Sequence, residues 1–208
     1  MIRSPPSGRR GRFTSLQLAV LLTVTGATGR ILLANLANVE TVLAVTMLAA
    51  VLLRGWYAVV VPLAAMAISD AVLYATGIGG ALGLPAILGV TAFTWSGFLI
   101  VAAIASRIDR SRILFAVRSV AVLTSVSIPA TILYDLWTDI GEWYFIAAPH
   151  GLTALEVLEA QVPFTLVHIA SSLIFVPLFG TIFLWLHLHG TTIEEPTTAP
   201  DEERTPSE

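Results

Sequence analysis

The sequence predicts an all-α integral membrane protein of six transmembrane helices with both termini cytoplasmic. Three observations carry this. Hydrophobic residues make up 56% of the 208 residues, charged residues only 12%, and the mean hydropathy is +0.83. A water-soluble domain of this length has too little interior to hide that much apolar surface, so most of it must face lipid. Apolar segments long enough for spanning helices recur along the chain. Basic residues, all eleven of them Arg, are sorted by region rather than spread evenly.

The elements follow in order. Residues 1–14 form a basic arm rich in Pro, Gly and Arg, expected to be disordered. Arg9-Arg10-Gly11-Arg12-Phe13 has the form of a twin-arginine export signal, but the apolar run behind it lacks a small-x-small cleavage site and leads into more apolar segments. A retained first helix is therefore expected. Six helices are expected near 15–34, 39–53, 56–75, 84–106, 112–134 and 162–189. The second is short and ends at Arg54-Gly55, which predicts a tight hairpin with the third. Pro85 and Pro163 suit helix starts, whereas Pro62, Pro129 and Pro177 are expected to kink helix interiors. Residues 190–208 form an acidic Thr/Pro/Glu-rich tail, also expected to be disordered.

With the N-terminus inside, Arg3, Arg9, Arg10, Arg12, Arg54, Arg107, Arg110, Arg112 and Arg118 all fall on the cytoplasmic side, and Arg30 alone among basic residues falls outside. This is the positive-inside pattern of a plasma-membrane protein. The outer side then collects polar groups: Arg30, Asn35, Asn38 and Glu40 after helix one, Ser69-Asp70 and Tyr74 in helix three, and Asp135, Trp137, Asp139 and Glu142 after helix five. Ionisable groups at such depth are costly and mark functional sites by default. Simpler roles stand beside each: a polar turn for residues 30–40, a membrane-interface belt for the Trp and Tyr residues, water contact for Asp139 and Glu142, and the polar side of a surface helix for Glu156 and Glu159. Asp70 needs a partner in its apolar helix, and Arg30 is the outer cation available to brace it. Trp95, in mid-helix, either floors a pocket or packs.

Several chemistries are excluded or unsupported. The chain has no cysteine, hence no disulfide or thiolate metal site, and no lysine, hence no Schiff base of the retinal type. Its four histidines, His150, His168, His187 and His189, are scattered and predict no metal site. No phosphate-binding loop, H-E-x-x-H or G-x-S-x-G motif occurs, so neither an enzyme nor a bound cofactor is expected. Ala19, Thr23 and Ala27 recur every four residues on helix one, a small-residue stripe that allows close helix approach.

Arg30 followed by Ala37-Asn38-Val39, an apolar hairpin, and Ser69-Asp70 in the outer part of helix three resembles the substrate-specific S components of energy-coupling factor (ECF) transporters. Tyr134-Asp135-Leu136-Trp137-Thr138 is similar to a subset of that family. The resemblance implies a subunit that captures a vitamin or related micronutrient in an outward-facing pocket. That subunit would work with a transmembrane coupling subunit and two cytoplasmic ATPases. It implies partner docking at Ala19, Thr23 and Ala27, while the outer convergence of polar residues makes Asn35, Asn38, Glu40, Asp70, Tyr74, Trp95, Asp135 and Trp137 the expected substrate contacts and Arg30 a brace. The chain departs from the family in having Ala37 where the related form has Pro, Thr23 within an Ala-x-x-x-Ala stripe, and a Gly-rich 77–85 segment over the expected pocket. Substrate identity is therefore not carried across, although the acidic outer face favours a cationic or donor-rich ligand. The alternatives are a stand-alone secondary transporter using Asp70 as its cation or proton site, and a membrane scaffold without transport.

Overall fold

In a computed structural model, residues 14–53, 55–77, 83–108 and 116–189 are described, and within them every regular element is helical. Residues 1–13 of the basic arm, the acidic tail, Arg54, Arg110, Arg112 and most of the 77–85 segment lie outside the described residues. The helices are α1 (Ser15–Leu32), α2 (Val42–Leu52), α3 (Tyr57–Ala75), α4 (Leu84–Ala105), α5 (Ala116–Glu142) and α6 (Ala154–His189). A π-helical turn, Trp143–Ala147, and a 3-10 turn, Ala148–His150, join α5 to α6.

Local chemistry sets the starts. Thr14 and Gln17 form a reciprocal capping box before α1, the Thr14 hydroxyl accepting from the Gln17 N–H at 3.2 Å and the Gln17 side chain accepting from the Thr14 N–H at 2.9 Å. Thr153 and Glu156 do the same for α6, with the Glu156 carboxylate accepting from the Thr153 N–H at 2.7 Å. This corrects the expected start near residue 162: α6 begins nine residues before Pro163, which lies inside the helix together with Pro177. Helix α5 likewise runs past the expected end at 134 to Glu142. Gly55, at φ 57°, makes the left-handed turn of the α2–α3 hairpin, a conformation glycine adopts without steric cost.

Consecutive helices are antiparallel. Trp95 near the middle of α4 meets Asp70 near the end of α3, Trp137 on α5 meets Ser96, and His168 on α6 meets Asp135. Arg30 reaches Ser69 and Asp70, so α1 and α3 run parallel. The ends of α1, α3 and α5 and the starts of α2, α4 and α6 therefore share one end of the bundle, the Arg30 end.

Five helical stretches, all but α2, are long and apolar enough to cross a membrane. The second helix differs from the expected 39–53 span: its 11 residues are all buried, and it packs against all five other helices. At about 1.5 Å per residue it is roughly 16 Å long, about half the hydrocarbon thickness. It is a core helix, and its all-round apolar surface meets protein rather than lipid. Lipid-facing surface is supplied by the others, for example Ile128, Ile132, Leu136 and Ile140 along one exposed stripe of α5.

The small-residue stripe of α1 explains how α2 is enclosed. Ala19 and Ala27 are buried and Thr23 is half-buried, so the stripe expected to dock a partner faces the protein's own interior. At Gly26 an added Cβ would sit 2.7 Å from Val45 of α2 and 3.4 Å from Ala65 of α3, and at Gly29 it would sit 2.6 Å from Thr41. The Thr41 hydroxyl seals this contact by donating to the Gly26 carbonyl at 2.9 Å. Gly26→Ala is expected to cost about 1–3 kcal/mol of stability through overpacking. A lowered thermal midpoint in detergent that Val45→Ala partly restores is the expected result.

Candidate functional site

Arg30 lies in the last turn of α1, where a cation complements the helix dipole. Its Nη1 donates to the Ser69 hydroxyl at 2.8 Å and to Asp70 Oδ1, and its Nε lies 3.4 Å from Glu40 Oε1. The second Asp70 oxygen accepts from the Trp95 indole at 2.9 Å. One guanidinium thus holds two carboxylates from different segments, and the indole completes Asp70. All three charged side chains are at most one-fifth exposed. Such a pair is neutralised and hydrogen-bonded on both sides, as charge at this depth requires.

Glu40 is fixed through its backbone. The Ser171 hydroxyl of α6 accepts from the Glu40 N–H at 2.9 Å and donates to its carbonyl at 3.2 Å. Its Oε1 faces Arg30, while Oε2 is buried without a partner.

The other expected contact residues separate into different roles. Asn38 has φ 57°, the left-handed region that Asn tolerates better than most residues, so it turns the chain between α1 and α2. Asn35 is exposed in the same connection. Tyr74 is more exposed than Asp70 despite the i, i+4 spacing, and its hydroxyl meets Thr91 at 3.2 Å on the rim between α3 and α4. Trp137 stacks on Phe93 at 4.8 Å and donates to Ser96 at 2.9 Å, which clamps α5 to α4. Asp135 belongs to a second assembly, bonded at 2.7 Å to His168 Nδ1. Asp139 is buried rather than water-facing, and Glu142 accepts from Gln161 at 2.7 Å.

Sequence reasoning missed the Asp135–His168 pair. The signal was present: His168, like Asp70, is a titratable residue in an apolar helix and requires a partner. Tyr134, almost fully buried, stands between the two assemblies. Its ring lies edge-on to His168 at 5.4 Å and against Phe98 at 4.7 Å, and Arg30, Glu40, Asp70 and Asp135 all act electrostatically on its hydroxyl. Gly97 makes room for it, since a Cβ there would lie 2.8 Å from the ring.

Among the described residues, no three His, Asp or Glu side chains converge as metal ligands. A groove of about 450 Å³ lies at the opposite end of the bundle, between the start of α3 and the end of α4, lined by Gly55, Ala58, Val59, Leu99, Ala102, Ala103 and Ser106. None of these described lining residues is charged, and the groove is separate in position from the Arg30 cluster.

Fold and site define a multi-pass helical membrane protein with an enclosed ionic cluster at one end. Residues 10–193 match the profile of DUF6580, described as a family of unknown function, and the chain belongs to that family. No curated protein and no solved structure matches it.

The geometry assigns Arg30 and Asp70 a bracing role. Asp70→Asn weakens the acceptor that both Arg30 and the Trp95 indole donate to while Glu40 remains as countercharge, and is expected to destabilise by about 1–3 kcal/mol. In a double-mutant cycle, the cost of Arg30→Met with Asp70→Leu should fall well below the sum of the single costs. Additive costs, read from unfolding in detergent, would show that the two side chains do not interact.

Proposed function

We propose that the protein is the substrate-capture subunit of an ATP-driven importer of the ECF type, holding a vitamin-sized micronutrient at the Arg30 end of the bundle. The observation that carries the reading is the convergence of Arg30, Glu40, Asp70 and Trp95 from four chain segments, with Glu40 Oε2 left buried and unpaired. An unpaired buried carboxylate oxygen costs free energy that a ligand donor recovers on binding. Two carboxylates against one guanidinium leave the cluster with an acidic excess, which favours a cationic or donor-rich ligand.

In this reading the Arg30 end faces outward. The described arginines Arg107 and Arg118 lie toward the other end, as the positive-inside rule requires of the cytoplasmic side of a plasma membrane. Six passes with both termini inside follow if α2 and its flanking connections complete one crossing inside the bundle. The chain has no nucleotide-binding motif, so energy comes from a transmembrane coupling subunit and cytoplasmic ATPases. Its contact with them lies away from the buried Ala19 and Ala27. A secondary transporter centred on Asp70 fits less well, because both Asp70 oxygens already have donors.

Purified protein in detergent, without nucleotide, is expected to bind one cationic or donor-rich member of a vitamin panel saturably in calorimetry and to gain thermal stability. Glu40→Gln is expected to lower the unliganded thermal midpoint through loss of its ion pair with Arg30 and, in protein still folded at the assay temperature, to weaken that binding at least about tenfold, about 1.4 kcal/mol. Absence of binding across the panel, or full affinity in Glu40→Gln, overturns the reading.

A further inference from the structure

A second polar assembly lies apart from the Arg30 cluster. On α5, Ser127, Thr131, Asp135, Asp139 and Glu142 follow one another at helical spacing and share one stripe. The first four are buried, whereas Ile128, Ile132, Leu136 and Ile140 on the neighbouring stripe are exposed. Helix α6 answers with Gln161 on Glu142 at 2.7 Å, His168 on Asp135 at 2.7 Å, and Ser172 on Ser127 at 3.4 Å. A polar seam therefore runs between the two helices from the Arg30 end into the bundle. One turn beyond Ser127 and Ser172 it stops against Leu123 and Val176, both fully buried.

Three atoms at the centre of this seam are buried without partners: Thr131 Oγ1, Asp135 Oδ2 and His168 Nε2. Their side chains are also enclosed, His168 at 2% and Asp135 at 7% exposure. Where Asp135 is a carboxylate, His168 Nδ1 carries the hydrogen between them, and in the neutral imidazole Nε2 presents a lone pair. That lone pair is a buried base inside a membrane protein, on the same α5–α6 seam as two carboxyl groups, Asp139 and Glu142, that lie nearer the bundle end.

We propose that the α5–α6 seam is a dead-end proton well: protons enter past Glu142 and Asp139 and bind at His168 Nε2. A hydronium ion from the solution at the Arg30 end protonates an Asp139 oxygen and leaves as water. The Asp139 O–H bond then breaks as an intervening water passes the proton on, an N–H bond forms at His168 Nε2, and Asp139 is ionised again. The product is an imidazolium beside the Asp135 carboxylate, a net-neutral pair that removes an uncompensated buried charge. Tyr134 packs edge-on to the imidazole, Asp139 acts on Asp135 from one turn along α5, and Ser171, one turn from His168 on α6, holds the Glu40 backbone. Arg30 of α1 and Asp70 of α3 reach the pair's surroundings through Tyr134, and α2 and α4 bring no charged side chain.

The test is nitrogen NMR of histidine-labelled protein in micelles, with His168 assigned by loss of its signal in His168→Gln. If that variant does not fold, assignment is by elimination with His150→Gln, His187→Gln and His189→Gln. As the pH is lowered, His168 Nε2 is expected to change from an unprotonated to a protonated nitrogen while Nδ1 remains protonated. Asp139→Asn is expected to slow proton exchange at Nε2 at least tenfold. In liposomes the wild-type protein should leave an imposed pH gradient intact. An Nε2 that never changes state, an exchange rate unaffected by Asp139→Asn, or a dissipated gradient each overturns the proposal.

Discussion

The structure depends on the neutralisation of Arg30. A guanidinium in the last turn of a membrane helix is tolerated only with countercharge and hydrogen-bond acceptors close by. Asp70, Ser69 and Glu40 supply both, from α3 and from the connection that precedes α2. This one side chain therefore ties the ends of two parallel helices to the start of the helix threaded between them. The Trp95 indole extends the tie to α4, and the Ser171 clasp on the Glu40 backbone extends it to α6. Removing charge at this point loosens the contacts among five segments, α1, the connection before α2, α3, α4 and α6.

Enclosing α2 places its own demands on the chain. A helix buried on every side must be approached closely, and Gly26, Gly29, Ala19 and Ala27 supply the small surface on α1 that permits it. The polar groups are then displaced to two places, the Arg30 cluster and the α5–α6 seam, with Tyr134 packed between them. Tyr134 lies within electrostatic reach of Arg30, Glu40 and Asp70 and packs edge-on against His168. The two assemblies are thus electrostatic neighbours even though no hydrogen bond joins them directly.

Much of this was legible in the chain, for definite reasons. Five spans announce themselves by length and apolarity, and the Arg30–Asp70 pairing follows from the scarcity of outer cations. Burial of α2 was not legible, because lipid and protein interior select the same apolar residues and periodicity separates neither. The start of α6 was misplaced because Pro163 reads as a first-turn residue, while the capping box Thr153-Ala154-Leu155-Glu156, which opens ten residues earlier, carries the real signal. The left-handed turn at Asn38 and the hydrogen bond that occupies Trp137 depend on backbone geometry and on a partner in another helix. Neither leaves a trace in spacing. The Asp135–His168 pair was accessible only to the argument already applied to Asp70, that a titratable group in an apolar helix must find a partner.

The proposed orientation puts the ionic cluster toward the outside and the apolar groove toward the cytoplasm. The absence of cysteine makes the chain a ready background for single-cysteine labelling. Asn35→Cys, beside the cluster, and Ser106→Cys, beside the groove, would be treated on intact cells with a membrane-impermeant maleimide. The account predicts that Asn35→Cys labels on intact cells and that Ser106→Cys labels only after the membrane is permeabilised. Labelling of Ser106→Cys from outside, with Asn35→Cys protected until permeabilisation, would contradict it.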